Sequence, residues 1–262
     1  MIKNLRAIVS FYNPNAYVVK KIRTDDGIDG RLISYTDSDS AIAEQYRSLR
    51  TGLYSLSPEK KIKTIVITST QSKEGKTITA CNLSYTISQD TEKKIILIDA
   101  DLRRASVHGV FGLPRKPGFS DVLCDKIGLE HFLAKPAFGN LYVIPSGTLI
   151  ESPSELMSSA RIKTSIDIIK SRFDYVIFDT PPVVNVTDAS ILGSICDVVL
   201  LVVRAGVTPK DMIDEAFNLL KRAQAEPKAC ILTDVIIPVH HYYMSRYRYY
   251  YRYKYGSSYK SK

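Results

Sequence analysis

The sequence lacks the long apolar segments of a membrane protein or a secreted precursor. No apolar stretch reaches the ~18–20 residues that a membrane-spanning helix needs. The segment from Met1 to Lys21 is interrupted by charged and turn-forming residues and has no apolar core of a signal peptide. We therefore expect a cytoplasmic protein, and Met1 with the long arm that follows it favours a natural start of the chain.

Cysteine is scarce, and its spacing argues against a disulfide or metal framework. The four cysteines are far apart and form no C-x-x-C pair: Cys81, Cys124, Cys196 and Cys230. Zinc sites and disulfide-rich domains need closely spaced or paired cysteines. We interpret all four as reduced thiols, as is usual in the cytosol.

Acidic residues are absent from the last 21 residues, Tyr242 to Lys262, which carry six lysines and arginines. Removing those six positive charges from the formal charge of +9 leaves +3 for the remainder. The body of the chain is therefore nearly balanced, which argues against a body wrapped in nucleic acid.

The same C-terminal segment holds nine of the 17 tyrosines. They are Tyr242, Tyr243, Tyr247, Tyr249, Tyr250, Tyr251, Tyr253, Tyr255 and Tyr259. Their spacing follows neither period 2 nor period 3.6, so they would not line one buried face. The segment either binds a partner through stacking and charge or is itself a substrate.

The rest of the chain alternates between strands and helices, as an α/β domain does. Residues 1–37 are irregular, and we expect a poorly ordered arm there with room for one short element. A helix over Ser40–Leu56 has one apolar stripe, with Glu44, Arg47 and Arg50 on the opposite side.

Six apolar strands are predicted, at Thr64–Ser69, Ile95–Asp99, Leu141–Pro145, Tyr175–Asp179, Val198–Val203 and Cys230–Ile236. Helices are predicted between them, near Thr77–Gln89, Ser120–Leu133, Ser159–Ser171, Asp188–Ile195 and Pro209–Gln224. Apolar residues at consecutive positions are typical of strands buried on both faces of a parallel sheet that helices cover.

The first strand runs into a phosphate-binding loop, TQSKEGKT at residues 70–77, and then into a helix. Backbone N–H groups and the helix N-terminus would hold phosphates there. Lys76 would reach the β- and γ-phosphates, and the Thr77 hydroxyl would bind Mg²⁺. Thr70 replaces the usual first glycine. Gly-Lys-Thr alone is a weak signal, and the strand–loop–helix context is what favours nucleotide binding over an exposed loop.

Carboxylates follow two other predicted strands. Asp99 and Asp101 end one strand, and Asp179 ends another. Carboxyl ends of parallel strands form the ligand-binding edge of an open α/β sheet. The alternative is helix capping or solvation of strand ends, but three carboxylates beside a P-loop suit Mg²⁺–nucleotide chemistry better.

These segments resemble a known family. SKEGKT, ILIDADLRR and VIFDTPPVVNVTDA are similar to the Walker A, A′ and B motifs of the bacterial tyrosine kinases that control capsule and exopolysaccharide assembly. The similarity extends to AEQYRSLRTGL at Ala43–Leu53, to VIPSGTLIESPSELMSS at Val143–Ser159 and to the tyrosine cluster. It implies a P-loop NTPase fold of the deviant Walker, MinD-like type, with a kinase domain over 38–238 and a tail over 239–262.

The resemblance also implies roles for individual residues. Asp99 would accept the tyrosine proton, with Lys76 and Asp101 also catalytic, and Thr77, Asp101 and Asp179 would bind the metal. A base is needed because a free tyrosine has a pKa near ~10. Arg103 or Arg104 either contacts phosphate or is simply exposed. ATP would be held by Ser72, Lys73, Glu74, Gly75, Lys76, Thr77, Ile78 and Arg103.

Two departures from the family pattern stand out. Lys73 replaces a glycine, so we expect backbone strain there, and its amine could add a phosphate contact. Thr233 replaces an asparagine that lies near adenine in the family, which puts purine recognition in doubt.

The resemblance implies a ring of subunits, an octamer, in which each tail enters the next subunit's site. By resemblance, Glu44 would pair with Arg47 or Arg50 across subunits; the alternative is that these residues form a solvated helix face.

A last strand parallel to the others would start the tail at the P-loop edge of the sheet, and ten extended residues span ~33–36 Å. Each phosphotyrosine would add roughly −1.5 to −2 charges and favour release of the tail and a looser ring.

The resemblance further implies a membrane-spanning activator (a polysaccharide co-polymerase) that recruits the kinase to the inner face of the membrane, a cognate tyrosine phosphatase, and sugar-modifying enzymes as substrates.

One alternative function is that of a partition-type ATPase that binds DNA or membrane, but those proteins usually carry a lysine where Gln71 stands. The other is a nucleic-acid-binding protein with the tail as an Arg/Tyr stacking strip. Nothing else in the chain supports it, and we expect no nucleic-acid partner.

Overall fold

A parallel sheet of seven strands forms the centre of the molecule in a computed structural model, which describes residues 7–12, 23–56, 62–90 and 92–235. The strands lie in the order β1-β7-β6-β2-β5-β3-β4, and every neighbouring pair is parallel. They are β1 (Ala7–Tyr12), β2 (Thr64–Ser69), β3 (Ile95–Asp99), β4 (Leu141–Ile144), β5 (Tyr175–Asp179), β6 (Val198–Arg204) and β7 (Ala229–Val235). The predicted α/β fold with a mostly parallel sheet is confirmed.

Helices cover both faces of this sheet. They are α1 (Ile33–Thr36), α2 (Ala41–Ser55), α3 (Lys76–Ser88), α4 (Val107–Val110), α5 (Phe119–Leu123), α6 (Glu130–Leu133), α7 (Pro153–Met157), α8 (Ala160–Arg172), α9 (Asp188–Ile195) and α10 (Lys210–Arg222). One core lies between the sheet and the side of α2 and α3, and a second lies against α8, α9 and α10. None of the helices in the described residues has the length and apolar character of a membrane span.

The central strands are built of consecutive Val, Ile and Leu residues because both of their faces are covered. All positions of β2 and β3 are buried, and the same holds for β5 after its first residue. On α2, the predicted stripe is confirmed, since Tyr46, Leu49 and Leu53 are buried. All four cysteines are free thiols, as predicted.

The N-terminal arm differs from the irregular segment that we expected. β1 extends the sheet by pairing with β7, and α1 follows within the same 37 residues. An edge strand forms mainly through backbone hydrogen bonds to its neighbour, so local sequence periodicity signals it weakly.

The single helix predicted over Ser120–Leu133 is wrong. The chain forms α5 and α6 instead, separated by Asp125, whose φ of 56° is left-handed. A residue in that conformation ends a helix. The short helices α4 and α7 were also not predicted, because neither is long enough to show a period.

A close backbone contact fixes the loop after β4. A Cβ on Gly118 would lie 2.2 Å from the amide nitrogen of Gly147 and 2.3 Å from the carbonyl oxygen of Pro145. Asp121 accepts hydrogen bonds from the backbone N–H groups of Gly118 (2.9 Å) and Thr148 (3.1 Å). The start of α5 and residues 145–148 therefore pack as one unit at the carboxyl edge of the sheet.

Gly118→Ala should lower the free energy of unfolding by about 3 kcal/mol or more, because backbone atoms on both sides must move apart. Gly128→Ala is the matched control, since no atom lies within 4 Å of its added Cβ. Its change should stay within about 0.5 kcal/mol in urea unfolding. Equal effects of the two substitutions would contradict this packing.

Candidate active site

The loop between β2 and α3 is held in shape by its own glutamate. The Glu74 carboxylate accepts hydrogen bonds from the backbone N–H groups of Thr70 (2.8 Å) and Gln71 (3.1 Å). Gly75 is left-handed at φ 91° and begins α3. Glu74 thus closes the loop from inside and leaves the N-terminal N–H groups of α3 directed at the carboxyl edge of the sheet.

Lys73 stands at φ 68°, a conformation that costs a non-glycine residue roughly 1–2 kcal/mol. The strain expected from the replacement of a glycine is therefore present in the backbone. The Lys73 side chain is exposed, Ser72 is half-buried in the same loop, and Ile78 lies half-buried in the first turn of α3.

Lys76 lies at the centre of the site among carboxylates. Its ammonium is 3.0 Å from Asp101 Oδ2 and 3.5 Å from Asp179 Oδ1, and its side chain is only 11% exposed. Thr77 donates a hydrogen bond from its hydroxyl to Asp179 Oδ2 at 2.7 Å. Because β5 lies between β2 and β3 in the sheet, the loop after β2 meets the carboxyl ends of β3 and β5. This brings four predicted site residues into direct contact: Lys76, Thr77, Asp101 and Asp179.

Asp99 lies at the end of β3 and is fully buried. One of its oxygens accepts hydrogen bonds from the N–H groups of Ser106 and Val107, both at 3.1 Å, and the other accepts one from Asp101 at 3.3 Å. Asp99 therefore orders the loop that carries Asp101, in addition to any role in chemistry.

The site buries more negative charge than its lysine neutralises. Burial, together with the charge of Asp179, raises the pKa of Asp99 to about 8, although Lys76 opposes the shift. Burial also raises the pKa of Asp179 against the opposing effects of Lys76 and Thr77. Burial alone would lower the pKa of Lys76, but Asp179 and Asp101 outweigh it, and the net shift is upward.

This donor set fits a divalent cation held together with phosphates. Mg²⁺ is usually bound by one or two carboxylates, while waters and substrate phosphates complete its shell. Among the described residues, no group of three or more His, Cys, Asp or Glu side chains could hold a metal by itself. The Thr77 hydroxyl and the Asp101 and Asp179 carboxylates are the available ligands. The raised pKa values of Asp99 and Asp179 show that the site favours additional positive charge.

The end of β7 is tied to the same loop. Thr233 donates a hydrogen bond from its hydroxyl to the carbonyl oxygen of Glu74 at 2.8 Å, and the Thr208 hydroxyl bonds the Glu74 carboxylate. Thr233 thus supports the loop rather than presenting an amide, as an asparagine would. Thr208 was not found from the sequence, because a turn threonine carries no local signal of a partner so distant in sequence.

Arg103 and Arg104 do not contact the Lys76 cluster through their side chains. Arg103 donates a hydrogen bond to the hydroxyl of Ser154 on α7 at 2.8 Å, and its Nε is 3.6 Å from Asp188 of α9. Arg104 bonds Asp101 only through its backbone N–H, at 2.9 Å. Sequence reasoning missed Ser154 and Asp188 as site residues, although both lie inside segments that carry the family resemblance.

The charged triplet of α2 is paired within the chain. Glu44 and Arg47 form a part-exposed ion pair one turn apart, and Arg47 also bonds the carbonyl oxygen of Ser38 at 2.9 Å. Arg50 donates to the carbonyl oxygen of Thr86 on α3 at 2.8 Å. Pairing of Glu44 across subunits therefore stays a prediction, and it would require these side chains to exchange partners.

The predicted phosphoacceptors lie outside the described residues, which end at Val235. They are Tyr242, Tyr243, Tyr247, Tyr249, Tyr250, Tyr251, Tyr253, Tyr255 and Tyr259.

Comparison with known proteins finds the same architecture in kinases. A family model described as an AAA domain matches residues 62–231. The tyrosine-protein kinase YwqD of Bacillus subtilis is 36% identical over 219 residues, 84% of this chain and 90% of the relative. The solved kinase domain of the Escherichia coli tyrosine kinase ETK is similar with a TM-score of 0.79 and 27% identity, over 87% of this chain and 89% of that one. The chimerical protein CapA2B2 is similar with a TM-score of 0.77 and 26% identity, over 88% and 95%.

Asp99→Asn should change how stability depends on pH. The folded protein keeps the Asp99 proton up to a pH of about 8, whereas the unfolded chain loses it near ~4. The free energy of unfolding of the native protein should therefore fall, through this group, as the pH rises across that window. Since asparagine does not titrate, the variant should gain stability relative to the native protein between pH ~5 and ~8.

Urea unfolding at pH ~5 and at pH ~8 measures the gain in the free energy of unfolding of Asp99→Asn relative to the native protein. Asp167→Asn, on the exposed face of α8, is the matched control and should show no such trend. A difference between Asp99→Asn and the native protein that stays constant with pH would contradict the raised pKa.

Proposed function

The chain belongs to the bacterial tyrosine-protein kinases, and from that premise we propose that it uses Mg²⁺ and ATP to phosphorylate tyrosines of its own C-terminal segment. The observation that carries the proposal is the buried contact of Lys76 with Asp101 and Asp179, beside the Thr77 hydroxyl. A nucleotide-binding kinase needs a cation for phosphate and oxygen ligands for a metal in one place, and these four side chains supply both.

Phosphate binding rests on the loop and on α3. The N–H groups at the start of α3 favour anions because a helix N-terminus carries a partial positive charge. Lys76 would leave the carboxylates and turn its ammonium to the terminal phosphates. Glu74 keeps the loop closed while Lys76 moves, because its hydrogen bonds run to backbone groups of the loop itself.

Thr77, Asp101 and Asp179 would hold the metal. When bound, Mg²⁺ neutralises charge on the phosphates and on the carboxylates around it. In this proposal Asp179 keeps Thr77 oriented through their 2.7 Å hydrogen bond, and Asp101 is oriented by the backbone N–H of Arg104.

Asp99 would accept the proton of the tyrosine hydroxyl. The tyrosine oxygen then bonds to the γ-phosphorus, the bond between that phosphorus and the bridging oxygen breaks, and ADP leaves. In the free site Asp99 keeps its proton up to a pH of about 8, and the positive charge of a bound cation would lower this pKa and free the carboxylate to accept the tyrosine proton.

The start of the tail supports its role as the acceptor. The described chain ends at Val235, two residues after Thr233, whose hydroxyl bonds the P-loop. The described chain therefore ends beside the nucleotide loop, and ten extended residues would span ~33–36 Å. That reach covers the chain's own site and a neighbour's.

The wider role is proposed from relatives. We assign residues 38–238 to the kinase domain and propose that it acts in capsule or exopolysaccharide synthesis and export. We further propose a ring of subunits, octameric by family resemblance, that a membrane-spanning activator recruits to the inner face of the cell membrane. A tyrosine phosphatase would reverse the modification, and sugar-modifying enzymes are further candidate substrates.

Incubation of the full chain with Mg²⁺ and ATP, followed by mass-spectrometric mapping, should find phosphotyrosine between Tyr242 and Tyr259. Lys76→Met and Asp99→Asn should each lower labelling by about a hundredfold or more, because each removes a group that acts on the transferred phosphoryl or the proton. Lys163→Met on the exposed face of α8 is the matched control and should label normally. ATP hydrolysis without labelled protein, or label on serine and threonine only, would favour the ATPase alternative.

Glu44→Ala with Arg47→Ala should convert the ring to smaller species in light scattering. The fold should survive, because an exposed ion pair contributes only about 0–1 kcal/mol. Glu130→Ala with Arg172→Ala removes another exposed Glu–Arg pair and should leave the mass unchanged. An unchanged mass in the Glu44/Arg47 variant would contradict the assignment of this helix to the ring contact.

A further inference from the structure

A second polar cluster lies at the carboxyl edge of the sheet, next to the Lys76 cluster. Arg103 comes from the loop after β3, Ser154 from the first turn of α7 and Asp188 from the start of α9. Arg103 Nη2 donates to Ser154 Oγ at 2.8 Å, and Ser154 Oγ donates to Asp188 Oδ1 at 2.6 Å. Arg103 Nε faces Asp188 Oδ2 at 3.6 Å, so the three side chains close a ring.

Asp188 is the buried member of this ring. Its side chain is 0% exposed, and its Oδ2 makes no hydrogen bond within the described part of the chain. A buried carboxylate is costly unless a cation compensates it, and the guanidinium of Arg103 is the cation that faces it. The buried Asp188 carboxylate therefore helps to fix the orientation of the Arg103 guanidinium.

Arg103 itself is not buried. Its side chain is 37% exposed, and Nη1 makes no hydrogen bond to described residues. A guanidinium has five N–H donors in a planar fork, and its free edge suits the oxygens of a phosphoryl group. Asp188 and Ser154 therefore hold one edge of Arg103 and leave the other free to bind an anion.

The position of Arg103 is what connects this ring to the reaction. Arg103 follows Asp101 by two residues, and Asp101 contacts Lys76 at 3.0 Å. Asp188 begins α9, the helix that follows β5 along the chain, and Asp179 at the end of β5 also contacts Lys76. Because β3 and β5 are neighbouring parallel strands, Arg103 and Asp188 stand on segments that leave the same edge of the sheet as Asp101 and Asp179.

We propose that Asp188, acting through Arg103, is a positioning residue: it holds the Arg103 fork, which the family resemblance assigns to the nucleotide, in the orientation that binds a phosphoryl oxygen during the reaction. The proposal rests on the kinase function and extends it. The phosphoryl group is either the terminal phosphate of the nucleotide or the phosphate of the tyrosine product. Asp188 touches neither, and acts by keeping the Arg103 fork in one orientation.

The first test separates positioning from stabilisation with Arg103→Gln, Asp188→Asn and the double variant. Each single change should lower kcat/KM of phosphotransfer by about ten- to hundredfold and lower the melting temperature of the ligand-free protein. The double variant removes both charges, so its melting temperature should recover, while its kcat/KM stays low. Recovery of both the melting temperature and kcat/KM in the double variant would overturn the proposal. The contacts among Arg103, Ser154 and Asp188 would then have a purely structural role.

A matched control is Arg172→Gln. Arg172 also pairs with a carboxylate, Glu130, but it lies at the end of α8, before the amino end of β5. Its kcat/KM should equal that of the native protein. A loss in Arg172→Gln as large as that in Arg103→Gln would overturn the link between Arg103 and its position at the carboxyl edge.

Chemical rescue tests the role of Asp188 directly. Millimolar ethylguanidinium should restore part of the activity of Arg103→Ala, because Asp188 and Ser154 remain to hold the added group. It should restore none in Arg103→Ala with Asp188→Asn. Equal rescue of both variants would contradict a positioning role for Asp188.

Binding measurements identify the phosphoryl group and do not depend on activity. Calorimetry would compare ADP, a non-hydrolysable ATP analogue, and phenyl phosphate added with ADP, in native protein and Arg103→Gln. A weaker affinity for the ATP analogue but not for ADP points to the terminal phosphate, and a weaker affinity for phenyl phosphate points to the product. Unchanged affinities for all three would overturn the proposal even if the chain phosphorylates tyrosine, and a native protein that labels no tyrosine would instead overturn the proposed function.

Discussion

One buried lysine among three carboxylates is the constraint on which the rest of the site depends. Lys76 contacts Asp101 and Asp179 directly, and Asp99 lies fully buried at the end of β3, two residues before Asp101. Charges taken out of water are costly unless they are compensated, and one ammonium does not balance three carboxylates. The raised pKa values of Asp99 and Asp179 are the consequence. A cation and a phosphate together would relieve this imbalance, since the first adds positive charge and the second gives Lys76 a new partner.

The surrounding structure holds this unfavourable cluster in place. β5 lies between β2 and β3, so the P-loop and both strand-end carboxylates meet at one edge. Glu74 closes the loop by bonding its backbone, and Thr233 of β7 bonds Glu74 in turn. The last described residues of β7 are thereby tied to the nucleotide loop. At the other side, Asp188 faces Arg103, which lies in the same loop as Asp101.

The sequence predicted what depends on local pattern and missed what depends on distant partners. The bounds of β2, β3 and β5 were predicted residue for residue, because runs of Val and Ile between polar ends mark buried strands. The contact of Lys76 with Asp101 and Asp179 followed from the rule that strand ends share an edge. The break between α5 and α6 was missed because Asp125 adopts a left-handed conformation that its residue type does not require. The partners of Arg103 were missed because Ser154 and Asp188 are distant in sequence and join it only in the folded chain.

The central claim is that the free site holds a proton on Asp99 that a bound cation would displace. Calorimetry of Mg²⁺–ADP binding near neutral pH, repeated in two buffers of different ionisation enthalpy, counts the protons exchanged. The account predicts a net release of protons, because binding should lower the pKa of Asp99 from about 8, and a smaller release in Asp99→Asn. Binding without proton exchange, or with equal release in native protein and variant, would contradict it.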